Sequence, residues 1–301
     1  MTKRRRNLFL LGGLVAVVVI AAAIAVGIAV GGGDEESKLQ YPGRVAVRNG
    51  CGLTNFFQDG SDRAELCLAD VWDSVSLSWN GDKLAWDTRS QGIRVGDYDD
   101  PSEPAILSTP QGANYAPSLS PDAKRVAFLH SPRDDGRYDI WVGDAPGADA
   151  NAEQVTTGRN VSDVSWSPKG DWLAYVQDWS EETLEGQISL VRPDGTDAHT
   201  LVRGDAPEWA PDGKHLVYVH NGSIWTIGSD GEDAQMIVPN GHSPAWSRDG
   251  EQIAFMRAER CGRAVCPEHV FLSFANGTGV RQVGPEFAEE TTVLWLPDPL
   301  E

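Results

Sequence analysis

One hydrophobic–polar word recurs along the chain. A large apolar residue and a small one lead into a polar turn, and an apolar–Ala–aromatic run follows. The copies are LSWNGDKLAW (77–86), LSPDAKRVAF (119–128), WSPKGDWLAY (166–175), WAPDGKHLVY (209–218, with Val in place of Ala) and WSRDGEQIAF (246–255). Their starts are 42, 47, 43 and 37 residues apart. Two short apolar runs around Pro-Asp-Gly or a variant predict a β-hairpin. Proline presets φ, aspartate bonds the turn backbone, and glycine accepts positive φ. The spacing is that of one four-stranded propeller blade, about 40–45 residues.

Each word is followed by material for two more strands. The third strand is predicted over 93–95, 139–142, 187–190, 223–227 and 269–272. A weaker fourth is predicted over 106–107, 154–155, 200–202, 236–238 and 281–283. The ends of the chain carry half-words. Residues 293–298 (VLWLPD) resemble the first half, with Trp295 in the place of Trp246. Residues 43–47 (GRVAV) resemble the second half, and 65–68 (ELCL) supply a third strand. Together they predict a sixth blade whose inner strand comes from the C-terminus, which hides two sheet edges. The expected fold is an all-β, six-bladed β-propeller over residues 43–301.

Ahead of it, the pattern changes. Lys3, Arg4, Arg5 and Arg6 precede residues 8–30, which hold no charge. Twenty-three residues at about 1.5 Å each are enough for a helix to cross a hydrocarbon core of roughly 30 Å. The expected organisation is a cytoplasmic basic tail (1–7), a transmembrane signal anchor (8–30), a linker (31–42) and the propeller. A cleaved signal peptide is the alternative, since Ala23-Ile24-Ala25 offers a small-residue cleavage pattern, although its apolar region would be unusually long. The basic tail puts the N-terminus in the cytoplasm and the propeller outside, as in a single-pass protein of a bacterial plasma membrane.

Charge narrows the partners. The chain carries −19, and the first 33 residues carry +4, so the remainder carries −23. Such a surface repels nucleic-acid phosphates and anionic headgroups and suits a cationic partner or Ca²⁺, besides serving solubility. Cys51, Cys67, Cys261 and Cys266 all fall in the outside part, where an even count points to disulfides. Of three connectivities, Cys51–Cys67 and Cys261–Cys266 join near neighbours in sequence. Zinc is the competing reading, but the spacings are not those of a zinc ribbon.

The words resemble the repeats of TolB-type propellers, also called WD-like or PD40 repeats. The matching motifs are Ser120-Pro-Asp122, Ser167-Pro-Lys-Gly170, Ala210-Pro-Asp-Gly213 and Ser247-Arg-Asp-Gly250, and the similarity covers about residues 43–300. The resemblance implies the fold rather than an activity, because such propellers serve many roles. TolB has an additional N-terminal domain where this chain has the apolar run, so its role in envelope transport is not carried over. Propellers of prolyl-oligopeptidase-like enzymes also look similar, but their hydrolase domain has no counterpart here.

Chemistry-bearing residues mostly read as structure. Asp122, Asp212 and Asp249 stabilise turns. Trp166, Trp209, Trp246 and Trp295 share one blade position and read as core, whereas Trp72, Trp79, Trp172 and Trp179 are candidates for a partner surface. His130, His199, His215, His220, His242 and His269 show no metal-ligand spacing. The acidic turns Asp97-Tyr-Asp99-Asp100 and Asp134-Asp135 are candidates for Ca²⁺ but lack an EF-hand pattern. Gly241-His-Ser243-Pro-Ala245 approaches a nucleophile elbow, lacks its last glycine, and reads as the lead-in to Trp246. Asn160, Asn221 and Asn276 open glycosylation sequons. The expected function is a non-catalytic protein- or peptide-binding scaffold with no cofactor. The alternative is a Ca²⁺-dependent hydrolase or lactonase working around a central channel, which convergent carboxylates or histidines at the inner-strand ends would favour.

Overall fold

The computed structural model describes residues 44–296, apart from 50–51, 59–60, 62–63, 69–70, 80, 89–91, 108–110, 134, 146–151, 181, 184, 259–266 and 288–292. The basic tail, the apolar run, Cys51, Cys261, Cys266 and Asp134 lie outside the described residues. No helix among the described residues is long and apolar enough to cross a membrane.

Among the described residues, all regular structure is strand. The first strands are β1 (Arg44–Asn49), β2 (Gly52–Phe57) and β3 (Ala64–Cys67). β4 (Val71–Leu77), β5 (Lys83–Thr88), β6 (Ile93–Asp97) and β7 (Ala105–Ile106) form one four-stranded sheet. β8 (Ala113–Leu119), β9 (Arg125–Ser131), β10 (Asp139–Asp144) and β11 (Glu153–Gln154) form the next. A seven-stranded sheet holds β12 (Val161–Trp166), β13 (Leu173–Ser180), β14 (Glu185–Val191), β15 (His199–Trp209), β16 (His215–His220), β17 (Ser223–Gly228) and β18 (Gln235–Val238). β19 (His242–Trp246), β20 (Gln252–Ala258), β21 (Glu268–Phe274) and β22 (Arg281–Phe287) follow. The last strand, β23 (Val293–Leu296), pairs antiparallel with β1 and completes the sheet β23-β1-β2-β3.

The edge strands β4, β8, β12, the second half of β15, β19 and β23 come from successive words. Neighbours in this series lie against one another, from β4·β8 and β8·β12 through β12·β15 and β15·β19 to β19·β23. Residues of β23, β1, β4 and β5 share one apolar cluster, which joins the last word to the first. This is the ring of a β-propeller.

The word explains the packing between sheets. Along a strand, neighbouring side chains face opposite ways. The aromatic that ends each word therefore faces one neighbour, and the Ala before it faces the other. Ala85 packs in one cluster with Leu119 and Phe128 of the next sheet, while Trp86 packs with Leu77 and Leu84 of its own word. Ala127 sits likewise with Trp166 and Tyr175, and Ala174 with Trp209 and Tyr218. A small side chain on one sheet makes room for a large one on the next.

The turns follow one plan. In the 119–128 word, the Ser120 Oγ accepts from Arg125 N–H (2.9 Å) and donates to Asp122 (2.8 Å). Ser247 does the same with Gln252 N–H and Asp249. The residue after the aspartate has left-handed φ, +73° at Gly250 and +56° at Ala123, the one copy without glycine there.

Two expectations change. Residues 65–68 are not the third strand of the closing sheet but its fourth, and β2 lies between. β2 was hidden because its centre is polar: Thr54 and Asn55 are buried, and Asn55 Oδ1 accepts from Arg44 Nε at 2.7 Å. Among the described residues, the hydrogen-bonded sheets also number five, four of four strands and one of seven. The cause is β15, whose first half pairs with β14 and whose second half pairs with β16 without a break between.

Candidate functional site

Five of the edge strands lined up in the ring, all but β23, carry an irregularity just before their word. Pairing skips between Val71 and Val75, Tyr115 and Ser118, Val161 and Asp163, Asp205 and Glu208, and His242 and Ala245. Such bulges re-aim side chains. Three residues ahead of the word's first apolar position, the backbone is left-handed at Ala116 (φ +48°), Ala206 (+47°) and Ser243 (+49°).

Below the bulges, serines stitch neighbouring edge strands together. Ser76 Oγ accepts from Leu119 N–H (2.9 Å), and Ser118 Oγ accepts from Trp166 N–H (3.0 Å). At the next step a carboxylate replaces the serine, and Ser165 Oγ donates to Glu208 Oε2 (2.7 Å). Asp87 ties the first two words together by accepting from Ser74 N–H (2.9 Å), Ser74 Oγ (2.7 Å) and Ala116 N–H (3.4 Å).

Carboxylates gather where β12 meets β15. Asp163 is buried and accepts from the Val164 amide at 2.8 Å. Burial raises its pKa well above the usual carboxylate range, and the nearby charges of Asp205 and Glu208 push it the same way. Asp205 is raised to about 6, mainly by burial, with the Glu185 charge adding to the shift. Glu185 has its own partners: His220 Nδ1 at 3.1 Å, Arg203 Nε at 3.3 Å and the Asn221 amide. One sheet further on, His242 Nε2 meets Glu268 Oε2 at 2.8 Å. Five acids and two histidines thus take part in these contacts, with Glu185, His242 and Glu268 at strand starts and His220 at a strand end, and no group of three or more among the described residues is arranged to hold a metal ion.

Of the residues singled out in the sequence, His220 and His242 fall in this region and most of the others fall elsewhere. Asp122, Asp212 and Asp249 each accept backbone N–H groups of their own turns. Trp166, Trp209, Trp246 and Trp295 are all buried, and Trp295 Nε1–H donates to Ala245 O at 3.1 Å. Trp79, Trp172 and Trp179 pack against the core, while Trp72 stays half exposed. Asp97 pairs with Lys83 at 2.6 Å, and Asp100 caps Ser102 N–H, so this acidic turn is engaged locally. His130 meets Asn114, His215 meets Asp212 and His269 meets Gln282. Cys67 is disulfide-bonded, and Gly52, the chain neighbour of Cys51, lies directly across from it. Sequence reasoning passed over Asp163, Asp205, Glu208 and Glu185. The first three stand at fixed offsets ahead of a word: Asp163 and Glu208 fall where sister copies carry only Ser or Ala, and Asp205 falls where they carry Asp73, Tyr115, Ser162 and His242, so aligning the residues before the words would have drawn attention to these positions.

This architecture defines a β-propeller, and the comparisons with known proteins agree. No family model and no curated protein matches the chain. Among solved structures, it is similar to TolB from Acinetobacter baumannii, with TM-score 0.65 and 18% identity over 85% of this chain and 67% of that one. It is similar to a chain of a nidogen/laminin complex, with TM-score 0.64 and 11% identity over 84% and 98%. It is also similar to an oligogalacturonate lyase in complex with manganese, with TM-score 0.55 and 11% identity over 77% and 70%. At these identities the likeness shows the shared propeller fold.

Proposed function

We propose that this chain is a membrane-anchored, extracytoplasmic six-bladed propeller that binds a protein or peptide partner through the acidic starts of its inner strands. The blade count follows from taking β15 as two strands, an outer one ending near Gly204 and an inner one from Asp205. The anchor rests on the uncharged run of residues 8–30, and the outside placement rests on the basic tail before it. A partner in a protein complex is in keeping with the nidogen/laminin relative. The reading assigns no cofactor.

The observation that carries the proposal is the meeting of Asp163, Asp205 and Glu208 on adjacent inner strands. Buried like charges are costly, and burial has already raised the Asp163 and Asp205 pKa values. A Lys or Arg side chain from a partner would relieve that cost, and the −23 charge outside the anchor would steer a cationic segment inward.

The test is crosslinking capture from membranes with the anchor intact. The full chain should retain a partner bearing a basic segment, and Asp163→Asn with Glu208→Gln should lose it. Equal capture by both forms, or retention of an acidic partner, would refute the assignment. A second reading, an enzyme working at the inner-strand ends, is favoured by the His242–Glu268 pair and is in keeping with the lyase relative.

A further inference from the structure

The stretch around Ser243 reads as the lead-in to Trp246, and its backbone is that, since β19 carries the bulge of its sister strands. Its side chains add something the sister strands lack. His242 Nε2 lies 2.8 Å from Glu268 Oε2, and His242 Nδ1 lies 3.0 Å from Ser243 Oγ. Glu268 comes from β21 and is buried. An ionised carboxylate only accepts, so it holds a proton on Nε2 and leaves the Nδ1 lone pair for the serine hydroxyl. Carboxylate, imidazole and hydroxyl in that order are what activates a serine as a nucleophile. The His220–Glu185 pair provides a contrast within the same protein. There the second ring nitrogen meets Asn221 Nδ2 at 2.9 Å, and no hydroxyl is in place.

We propose that Ser243, His242 and Glu268 form a hydrolytic centre for small, uncharged carboxylic esters. The substrate class follows from access and charge. Ser243 is only 1% exposed and His242 is half-buried beside it, which limits an acyl group at Oγ to a short one. The acidic surroundings disfavour an anionic substrate.

The chemistry balances. Ser243 Oγ gives its proton to His242 Nδ1 and bonds to the ester carbonyl carbon. The tetrahedral adduct collapses, the bond to the alcohol oxygen breaks, and His242 returns the proton to the departing alkoxide. Water then gives a proton to Nδ1 and bonds to the acyl carbon, and Ser243 Oγ leaves and takes that proton back. One ester and one water become one acid and one alcohol. Glu268 stabilises the imidazolium without taking its proton.

The experiment treats the full chain in detergent with a small fluorophosphonate and, separately, with p-nitrophenyl acetate. The expected results are a label on the peptide containing Ser243 and an ester turnover that falls roughly 100-fold in Ser243→Ala. Glu268→Gln should lower turnover while leaving Ser243 in place. Folding does not confound the serine variant, because alanine already occupies the equivalent left-handed position at Ala116 and Ala206. No label on the wild-type chain, or equal turnover in Ser243→Ala, would overturn the proposal. Partner capture should be the same in Ser243→Ala, so this centre and the binding reading fail separately.

Discussion

Trp295 lies directly across from Val45, in the register that joins β23 to β1. The two residues stand at opposite ends of the described chain, yet both are buried in one apolar cluster with Leu77 and Trp86. Every other inner strand is covalently close to its hairpin partner. This one reaches its place only when the whole ring is in order.

Deleting residues 291–301 should therefore unfold or aggregate the propeller, because the closing sheet loses its inner strand and exposes β1 as an edge. The milder Trp295→Ala should cost about 3–5 kcal/mol, the usual range for emptying a buried aromatic site. Thermal unfolding reads both, and an unchanged midpoint in the truncation would rule out this role for β23.

The carboxylates between β12 and β15 should give the fold an unusual pH dependence. Asp163 and Asp205 have folded pKa values raised above the ordinary 3.8, so the folded state holds protons that the unfolded chain releases. Stability from these groups is present at low pH and declines as pH rises from about 4 through about 6, where Asp205 titrates, and further as Asp163 ionises. Asp205→Asn should remove part of that decline and stabilise the protein at pH 8 by at most about 3 kcal/mol, since each tenfold change in proton affinity is worth ~1.4 kcal/mol. Denaturant melts of wild type and variant at pH 4 and pH 8 give the difference directly. A gap that is larger at pH 4 would contradict the sign.

Ala123 fills a left-handed turn position where the words at Gly170, Gly213 and Gly250 have glycine. A Cβ in that conformation costs about 1–2 kcal/mol, part of which glycine gives back through its freer unfolded state. Ala123→Gly should stabilise by roughly 0.5–1 kcal/mol, measured by urea midpoint at constant m-value. The reverse change, Gly250→Ala, should destabilise.

Peptide mapping of the non-reduced protein should find Cys67 joined to Cys51. Fifteen residues lie between them, so replacing both with serine should cost about 2–4 kcal/mol. A Cys67 linked to Cys261 or Cys266 would show that the pairing skips its near neighbour.

The repeat made most of the fold legible. Two hairpin strands, a Pro-Asp-Gly turn and a recurrent tryptophan are local signals, and even the half-words at the two ends predicted the β23–β1 pairing. β2 escaped because its buried centre is Thr54 and Asn55, polar residues of which the second is hydrogen-bonded by the Arg44 side chain. The continuity of β15 escaped because Gly204-Asp205 reads as a break between the strand at 200–202 and the next word, yet β15 runs on through it. The site was less legible than the fold. Asp163, Asp205 and Glu208 come from two separate words, and only the ring brings them together. His242 and Ser243 were visible as neighbours, but their relation to Glu268 depends on β19, β20 and β21 lying side by side.

The β1–β23 pairing also sets an order in time. During synthesis, β1 emerges early and waits with a bare edge until β23 arrives. For that interval the nascent domain is an open arc that can recruit a stray strand from a neighbouring chain. Arrival of β23, rather than collapse of any one sheet, is the event that turns the arc into a ring.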